Sequence, residues 1–434
     1  MPVQLSIDEA STLAREHLKA GRPMEAEFLF DRIVAVSPSD PDAWNFLGVL
    51  RFKRGDRAGA LSAAEHAVAL APEYADAHAN LGLILTDRSD LERAEGHLQR
   101  AIELQPEAIP PRLTMASVLR QQGRLNDAER LLREVLAVAP DHPSAHHGLA
   151  GVLLLSGRTG EGLQHFRHAI ADPGMASMRI QLAGELARNG LPHEAALQLR
   201  QFLEQNPDDL AARHLLAAYE GASPARPDEG YVRGLFDAFA DSFDADLAGL
   251  DYRAPRLIAG ATELCVGPAG GTLAVLDAGC GTGLMGPLIR PWARELVGID
   301  LSAGMLAQAR RTERYDRLVE GELTAFLESA RASYDLITCA DTLCYFGELE
   351  VVSHAAIAAL RAPGWFIFSV ERADDDAQAE GYRLHLGGRY AHRADYVEEV
   401  LNAAGFDEVR MARDALRLQR GIPVPGLIVA ARKT

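Results

Sequence analysis

The chain has 434 residues, a formal charge of −17, 48% apolar residues and 24% charged ones. That length predicts two or three domains with cores of ordinary size. The acidic balance argues against a general nucleic-acid or membrane-surface binder, which needs a basic excess.

Met1–Ala10 lacks a basic stretch followed by an apolar one, so no signal peptide is expected. No apolar run has the length to span a bilayer. The four cysteines, Cys265, Cys280, Cys339 and Cys344, are scattered, with no C-x-x-C and no histidine at metal-ligand spacing. Free thiols in a reducing cytoplasm, and no metal, are the expectation.

From about Ile7 the chain repeats itself every 34 residues. Leu13-Ala14, Leu47-Gly48, Leu81-Gly82, Met115-Ala116, Leu149-Ala150 and Leu182-Ala183 align. Ala26, Ala60, Ala94, Ala128, Gly162 and Ala195 follow, and each unit closes on Pro38, Pro72, Pro106, Pro140, Pro173 or Pro207. Small residues let two antiparallel helices approach, and apolar residues at helical spacing fill the seam. The proline cannot continue the second helix. One such unit cannot bury its own face, so several must stack into an α-solenoid.

The pattern resembles the tetratricopeptide repeat (TPR), with Trp44 at its aromatic position. About six repeats are expected over residues 1–220, with a helix at 209–220 as solvating cap. The resemblance implies a concave groove, lined by the first helix of each unit, that holds a protein or peptide. Arg15, Lys19, Asn45, Lys53, Arg120 and Arg188 are the residues expected there. Their mainly basic character suggests an acidic partner or a C-terminal carboxylate, although solvated surface cations give the same pattern.

Gly221–Gly230 is rich in proline, glycine and charge and reads as a linker. Beyond it, over 231–434, Phe236, Phe239, Ala240 and Phe243 recur at helical spacing. They pack on a sheet or form a lid over a site. Tyr252–Cys265 reads as a helix leading into a first strand.

That strand, Leu273–Leu276, stops at Asp277 and runs into Gly279-Cys280-Gly281-Thr282-Gly283. Glycine there permits a tight turn with positive φ and lets a ligand lie against the backbone. A second apolar run, Leu296–Ile299, ends in Asp300, about 20 residues past the glycines, where a carboxylate can take ribose hydroxyls. The competing role for Asp300 is to cap the helix that follows, but Ser302 can serve as that cap.

Together with Gly298–Met305 and Tyr334–Ile337, these motifs resemble those of class I S-adenosylmethionine-dependent methyltransferases, from about Tyr231 to the end of the chain. The resemblance implies a Rossmann-like α/β domain: a seven-stranded, mostly parallel sheet with an antiparallel last strand. It also implies S-adenosyl-L-methionine as cofactor. Asp277, Gly279, Cys280, Gly281, Gly283 and Asp300 would hold it, Leu301 and Met305 would flank the adenine, and Glu322 would stand near the adenine amino group.

Leu318-Val319, Asp335–Cys339 and Trp365–Val370 read as further strands, the last ending in Glu371, and Val409 onward with Gly426–Ala431 as a final antiparallel pair. Asp341 and Thr342 follow the fourth strand, beside the expected reacting centre. Asp341, Tyr345 and His392 are the candidate catalytic residues, with Cys344 and His385 as further candidates on the substrate side. A histidine's pKa near neutrality suits it to accept a proton.

The expected activity is therefore methyl transfer, with a repeat region that recruits a protein partner or substrate. The alternative is an inactive adaptor that keeps the methyltransferase-like fold. The glycine spacing disfavours NAD, and no G-x-x-x-x-G-K-[ST] stretch supports a P-loop NTPase.

Overall fold

The computed structural model describes residues 5–171, 178–248, 250–373, 381–419 and 421–434. The chain divides into two compact units, Met1–Leu182 and Ala183–Thr434. The boundary thus falls earlier than the linker at 221–230.

The first unit is built of paired helices: Ile7–Lys19 with Pro23–Val36, Pro41–Arg54 with Arg57–Leu70, and Ala75–Asp87 with Leu91–Leu104. Ile109–Gln121 with Leu125–Val138, and Pro143–Leu155 with Thr159–Ala169, continue the array. The small positions do what their spacing predicts, and Ala60, Ala94 and Ala128 are fully buried in the helix seams. A side chain at Gly82 would overlap Leu98, the apolar partner on the next helix. Pro173, expected to close the fifth repeat, lies outside the described residues.

A recurring hydrogen bond ties the entry of three repeats to the proline before each. Trp44 Nε1 donates to the Pro38 carbonyl at 2.8 Å. Six residues after Pro72 and Pro140, His78 Nε2 and His146 Nε2 make the same contact, at 3.0 and 2.8 Å. A carbonyl only accepts, so both histidines carry their proton on Nε2.

Half of the groove candidates are committed to the fold. Arg15 pairs with Asp42 at 2.8 Å. Asn45 is only 5% exposed. It donates to Tyr74 Oη at 3.3 Å and accepts from Asn80 at 2.8 Å. Arg188, in the second unit, pairs with Glu185. Lys19, Lys53 and Arg120 remain exposed. Asn45→Ala should lower the unfolding free energy of the array by about 1–2 kcal/mol, because it strands partly buried partners. A lower urea midpoint of the full chain checks it.

The second unit opens with helices Pro192–Gln205 and Leu210–Tyr219 and continues through Glu229–Phe239, Phe243–Ala248 and Ala254–Val266. Among the described residues its sheet has nine strands: β1 Leu273–Ala278, β2 Ala293–Asp300, β3 Arg317–Glu320, β4 Tyr334–Cys339, β5 Leu360–Arg372, β6 Tyr382–Leu384, β7 Tyr390–His392, β8 Glu408–Gln419 and β9 Ile422–Lys433. Strands β3-β2-β1-β4-β5 lie side by side and parallel. β9 runs antiparallel along β5, and β8 along β9. This is the expected seven-stranded body.

The two further strands form a small hairpin. β7 pairs with the last residues of β5, Glu371 and Arg372, and β6 folds back on β7.

Successive residues of β1 feed opposite cores, as strand geometry requires. Leu276 packs with Ile299, Ile337 and Phe366 on one face. Val275 packs with Ile258, Leu296 and Leu336 on the other. Burial on both faces explains why the parallel strands read as unbroken apolar runs. The strand order reverses between β1 and β4, and in open α/β sheets the crevice beyond those strand ends is where ligands bind.

Candidate functional site

The crevice beyond β1 is floored by the glycine turn. Gly279 and Cys280 both donate their N–H to the Ile299 carbonyl, at 2.8 and 2.9 Å, which fastens the turn to β2. Gly279, Gly281 and Gly283 have φ of 72°, 53° and 93°, a region that side chains resist. The three glycines answer different needs. A Cβ at Gly279 would sit 2.1 Å from Thr342 Oγ1, and one at Gly283 would press on Tyr315 and Ala309. At Gly281 it would meet no atom within 4 Å, and Gly281 lines the cavity. Gly283 does not line it, so this residue serves packing and not contact with a ligand.

Two carboxylates close the turn. Asp300 Oδ2 accepts Gly281 N–H at 2.8 Å, and Oδ1 accepts Ser302 N–H at 2.9 Å. Burial raises its pKa, against the pull of those bonds. Ser302, not Asp300, caps the helix Ala303–Arg311, taking Met305 N–H at 3.0 Å. Asp277 Oδ2 accepts from Tyr315 Oη at 2.6 Å, while Oδ1 is buried with no partner. Burial pushes the Asp277 carboxyl up to about 7. Cys280 also lines the cavity, and burial holds its thiol protonated. Leu301 and Met305 also line the cavity.

The aromatic-rich helices cover this space. Asp237 accepts from Ser302 Oγ and from Gly304 N–H, at the positive end of the helix Ala303–Arg311. Thr282 Oγ1 donates to Asp244 at 2.6 Å, and Gln308 to Asp241 at 2.8 Å. Phe236 stands edge-on to both Phe243 and Tyr345, and all three line the cavity.

The far wall carries a charge network that the sequence did not disclose. Arg389 pairs with Asp341 at 2.6 Å and Glu371 at 2.7 Å. Arg417 pairs with the same two residues at 3.4 and 2.5 Å. Asp341 adopts φ 56° and donates its N–H to Ser369 Oγ at 2.9 Å. Burial alone would raise its pKa, but Arg389 and Arg417 more than cancel that and hold it below the usual carboxylate range. Asp341 is therefore a fixed anion and not a free base. Asp341, Cys344 and Glu371 lie close enough for a metal, but the two guanidiniums occupy the carboxylates and repel a cation.

Tyr345 lines the same wall, with Arg389 over its ring at 5.1 Å. His392 does not reach the cavity. It is buried in β7, with Nε2 on the Gly347 carbonyl at 3.0 Å and its ring stacked on Tyr396. Burial lowers its pKa to about 4, which leaves a neutral packing residue in place of the expected base. His385 is exposed and does not line the cavity. Glu322 does line it, but as the cap of Leu323–Ser329, accepting Ala325 N–H at 2.7 Å and pairing with Arg226 at 3.2 Å.

The residues missed are Tyr315, Arg226, Asp237, Tyr252, Arg389 and Arg417. Arg389 had a signal, since it belongs to the polar, ring-rich stretch Gly388–Arg393. Gly221–Gly230 likewise proves anchored. Ser223 Oγ accepts from Leu384 N–H at 3.0 Å, and the Ala225 carbonyl takes Gly347 and Glu348 N–H.

The family model of a methyltransferase domain matches residues 275–364. Tetratricopeptide-repeat models match residues 11–56, 50–109 and 85–153. A stretch of 94 residues is 42% identical to human methyltransferase-like protein 27, covering 21% of this chain and 38% of that protein. Another 94-residue match, 45% identical, is to malonyl-[acyl-carrier protein] O-methyltransferase of Pectobacterium atrosepticum, over 22% of this chain and 32% of that one. The chain thus spans well under half the length of these curated relatives. Among solved structures, a thermophilic TPR protein of Thermus thermophilus aligns with a TM-score of 0.37 and 26% identity, over 42% of this chain and 100% of that one. Among the described residues, no helix is long and apolar enough to cross a membrane.

Proposed function

From a chain that carries tetratricopeptide repeats and a class I methyltransferase domain, we propose an S-adenosylmethionine-dependent methyltransferase whose repeats recruit a protein. The catalytic region is 231–434, the repeat region 1–220, and 221–230 the connecting segment, which lends Arg226, Pro227 and Glu229 to the cavity. Four free thiols suit a cytoplasmic setting.

The observation that carries this reading is the vacant side-chain position at Gly281, which donates to the Asp300 carboxylate in a cavity that Asp277, with its partnerless Oδ1, also lines. The residues fit the cofactor. Asp300 would take its ribose hydroxyls, Asp277 Oδ1 its ammonium, and Leu301 and Met305 would flank its adenine. When bound, the cofactor supplies a methyl group already activated on a sulfonium. The protein's share is to orient the acceptor and exclude water, which the Phe236–Phe243 cover serves.

Titration with S-adenosylhomocysteine tests this directly. Binding is expected, and Asp300→Ala should weaken it by about 1–3 kcal/mol. No binding at millimolar ligand would overturn the cofactor assignment.

The affinity should also depend on pH. Asp277 is protonated below about 7 in the free protein, and an ammonium favours its ionised form. Binding therefore releases a proton at lower pH, and affinity climbs as pH rises toward 7 and then levels. The same proton makes Asp277's contribution to stability fall as pH rises from its usual carboxylate range to 7. Asp277→Asn should flatten the affinity profile, as isothermal titration at several pH values would read.

Partner capture rests on the repeats themselves, with Lys19, Lys53 and Arg120 exposed on first helices. Crosslinking on the full chain, with and without those three changed to Ala, tests it.

A further inference from the structure

The wall opposite the glycine turn bears on the identity of the acceptor, an inference that rests on the methyltransferase reading. Its two acids are already spent, since Asp341 and Glu371 are each paired with both Arg389 and Arg417. Beside them stand groups that can donate to a ligand. Tyr252 and Tyr345 line it, and their hydroxyls have no hydrogen-bond partner among the described residues. Burial raises both phenols, so they stay protonated and donate. Arg389 keeps 21% of its side chain exposed, against 7% for Arg417. Phe236, Phe243, Leu247, Leu250 and Phe346 add apolar lining.

A ligand group that meets two phenol hydroxyls and a guanidinium can accept from all three, and the guanidinium favours an anion. The geometry points to a carboxylate on an apolar chain as the methyl acceptor, held by Arg389, Tyr252 and Tyr345.

The chemistry agrees with the fixed state of Asp341. A hydroxyl, thiol or ammonium acceptor must lose a proton to a base, whereas a carboxylate arrives with its lone pair free. An oxygen lone pair of the carboxylate forms the new O–CH3 bond. The methyl carbon's bond to sulfur breaks, and sulfur keeps the electron pair. Negative carboxylate and positive sulfonium become a neutral methyl ester and a neutral thioether, and no proton moves.

The test is binding, read by isothermal titration with octanoate and 3-phenylpropanoate near neutral pH, on the chain alone and saturated with S-adenosylhomocysteine. Octanamide and octylamine are the comparators. At least one acid should bind, with octanamide and octylamine each weaker by tenfold or more. Tyr252→Phe with Tyr345→Phe should cut acid affinity about tenfold, and Arg389→Gln should abolish it. Arg389→Gln also unpairs the buried acids, so the tyrosine pair is the safer variant.

The inference is overturned if neither acid binds, if octanamide or octylamine binds as tightly, or if the tyrosine pair changes nothing. Failure of S-adenosylhomocysteine to bind would instead sink the methyltransferase reading. The acid titration on the chain alone is read independently of that outcome.

Discussion

Gly279→Ala and Gly281→Ala should part company, though both place a side chain at positive φ in one turn. Alanine in that region costs about 1–2 kcal/mol of backbone energy at either position. At Gly279 the new carbon would also drive into Thr342 Oγ1, 2.1 Å away. Overpacking of that kind adds about 1–3 kcal/mol, and the protein should lose roughly 2–5 kcal/mol in all. At Gly281 nothing is struck, so the fold survives with only the backbone cost. There the loss is functional, because the methyl group enters the space assigned to the cofactor. S-adenosylhomocysteine affinity should fall by about 100-fold, some 2.7 kcal/mol. Thermal unfolding and titration of the two variants read the contrast. A Gly281→Ala chain that binds normally would refute the placement of the cofactor.

Arg417→Met should be the most damaging change on the far wall. Arg417 is almost wholly buried and bridges Asp341 and Glu371. Its removal leaves two carboxylates sharing Arg389, and breaking a buried ion pair in this way costs about 3–5 kcal/mol. Replacing the partner as well, in Arg417→Met with Glu371→Leu, should recover much of the loss, since the uncompensated charge is gone. Urea midpoints of the single and double variants decide it. If the single variant unfolds like the parent, the network is not holding the wall together.

Legibility in the sequence tracks how far apart in the chain the contacting residues stand. The repeats are legible because each small residue and each proline acts within its own helix pair, so a period of 34 residues records the packing. The turn Gly279–Gly283 and Asp300 are legible because strand, turn and carboxylate follow in chain order, and the structure brings Gly281 and Asp300 into hydrogen-bond contact.

The far wall is not legible. Asp341, Glu371, Arg389 and Arg417 come from β4's end, β5, the β6–β7 hairpin and β8, and only the sheet brings them together. His392 misled for the same reason, because the Gly347 carbonyl that occupies its ring arrives from 45 residues away. β6 and β7 are three residues each, too short to give a periodic pattern. Glu322's place after a strand points to an adenine contact, while its nearer duty is to cap the helix it precedes. Tyr315 announces nothing in sequence, yet it supports Asp277 and fills the space that Gly283, Gly286 and Gly298 leave.

One segment sets a limit on how this protein can be trimmed. Arg226 and Pro227 belong to the stretch between the last repeat-like helix and the aromatic cover, Glu229 opens the cover's first helix, and all three line the cavity. Arg226 also clasps Glu322 and Thr324 and lies over the Phe346 ring. A fragment begun at Tyr231 would keep every recognisable motif and still lack one side of its own vessel. Such a fragment should bind ligands more loosely than the parent, and a shortened homologue without this stretch would need a substitute for Arg226.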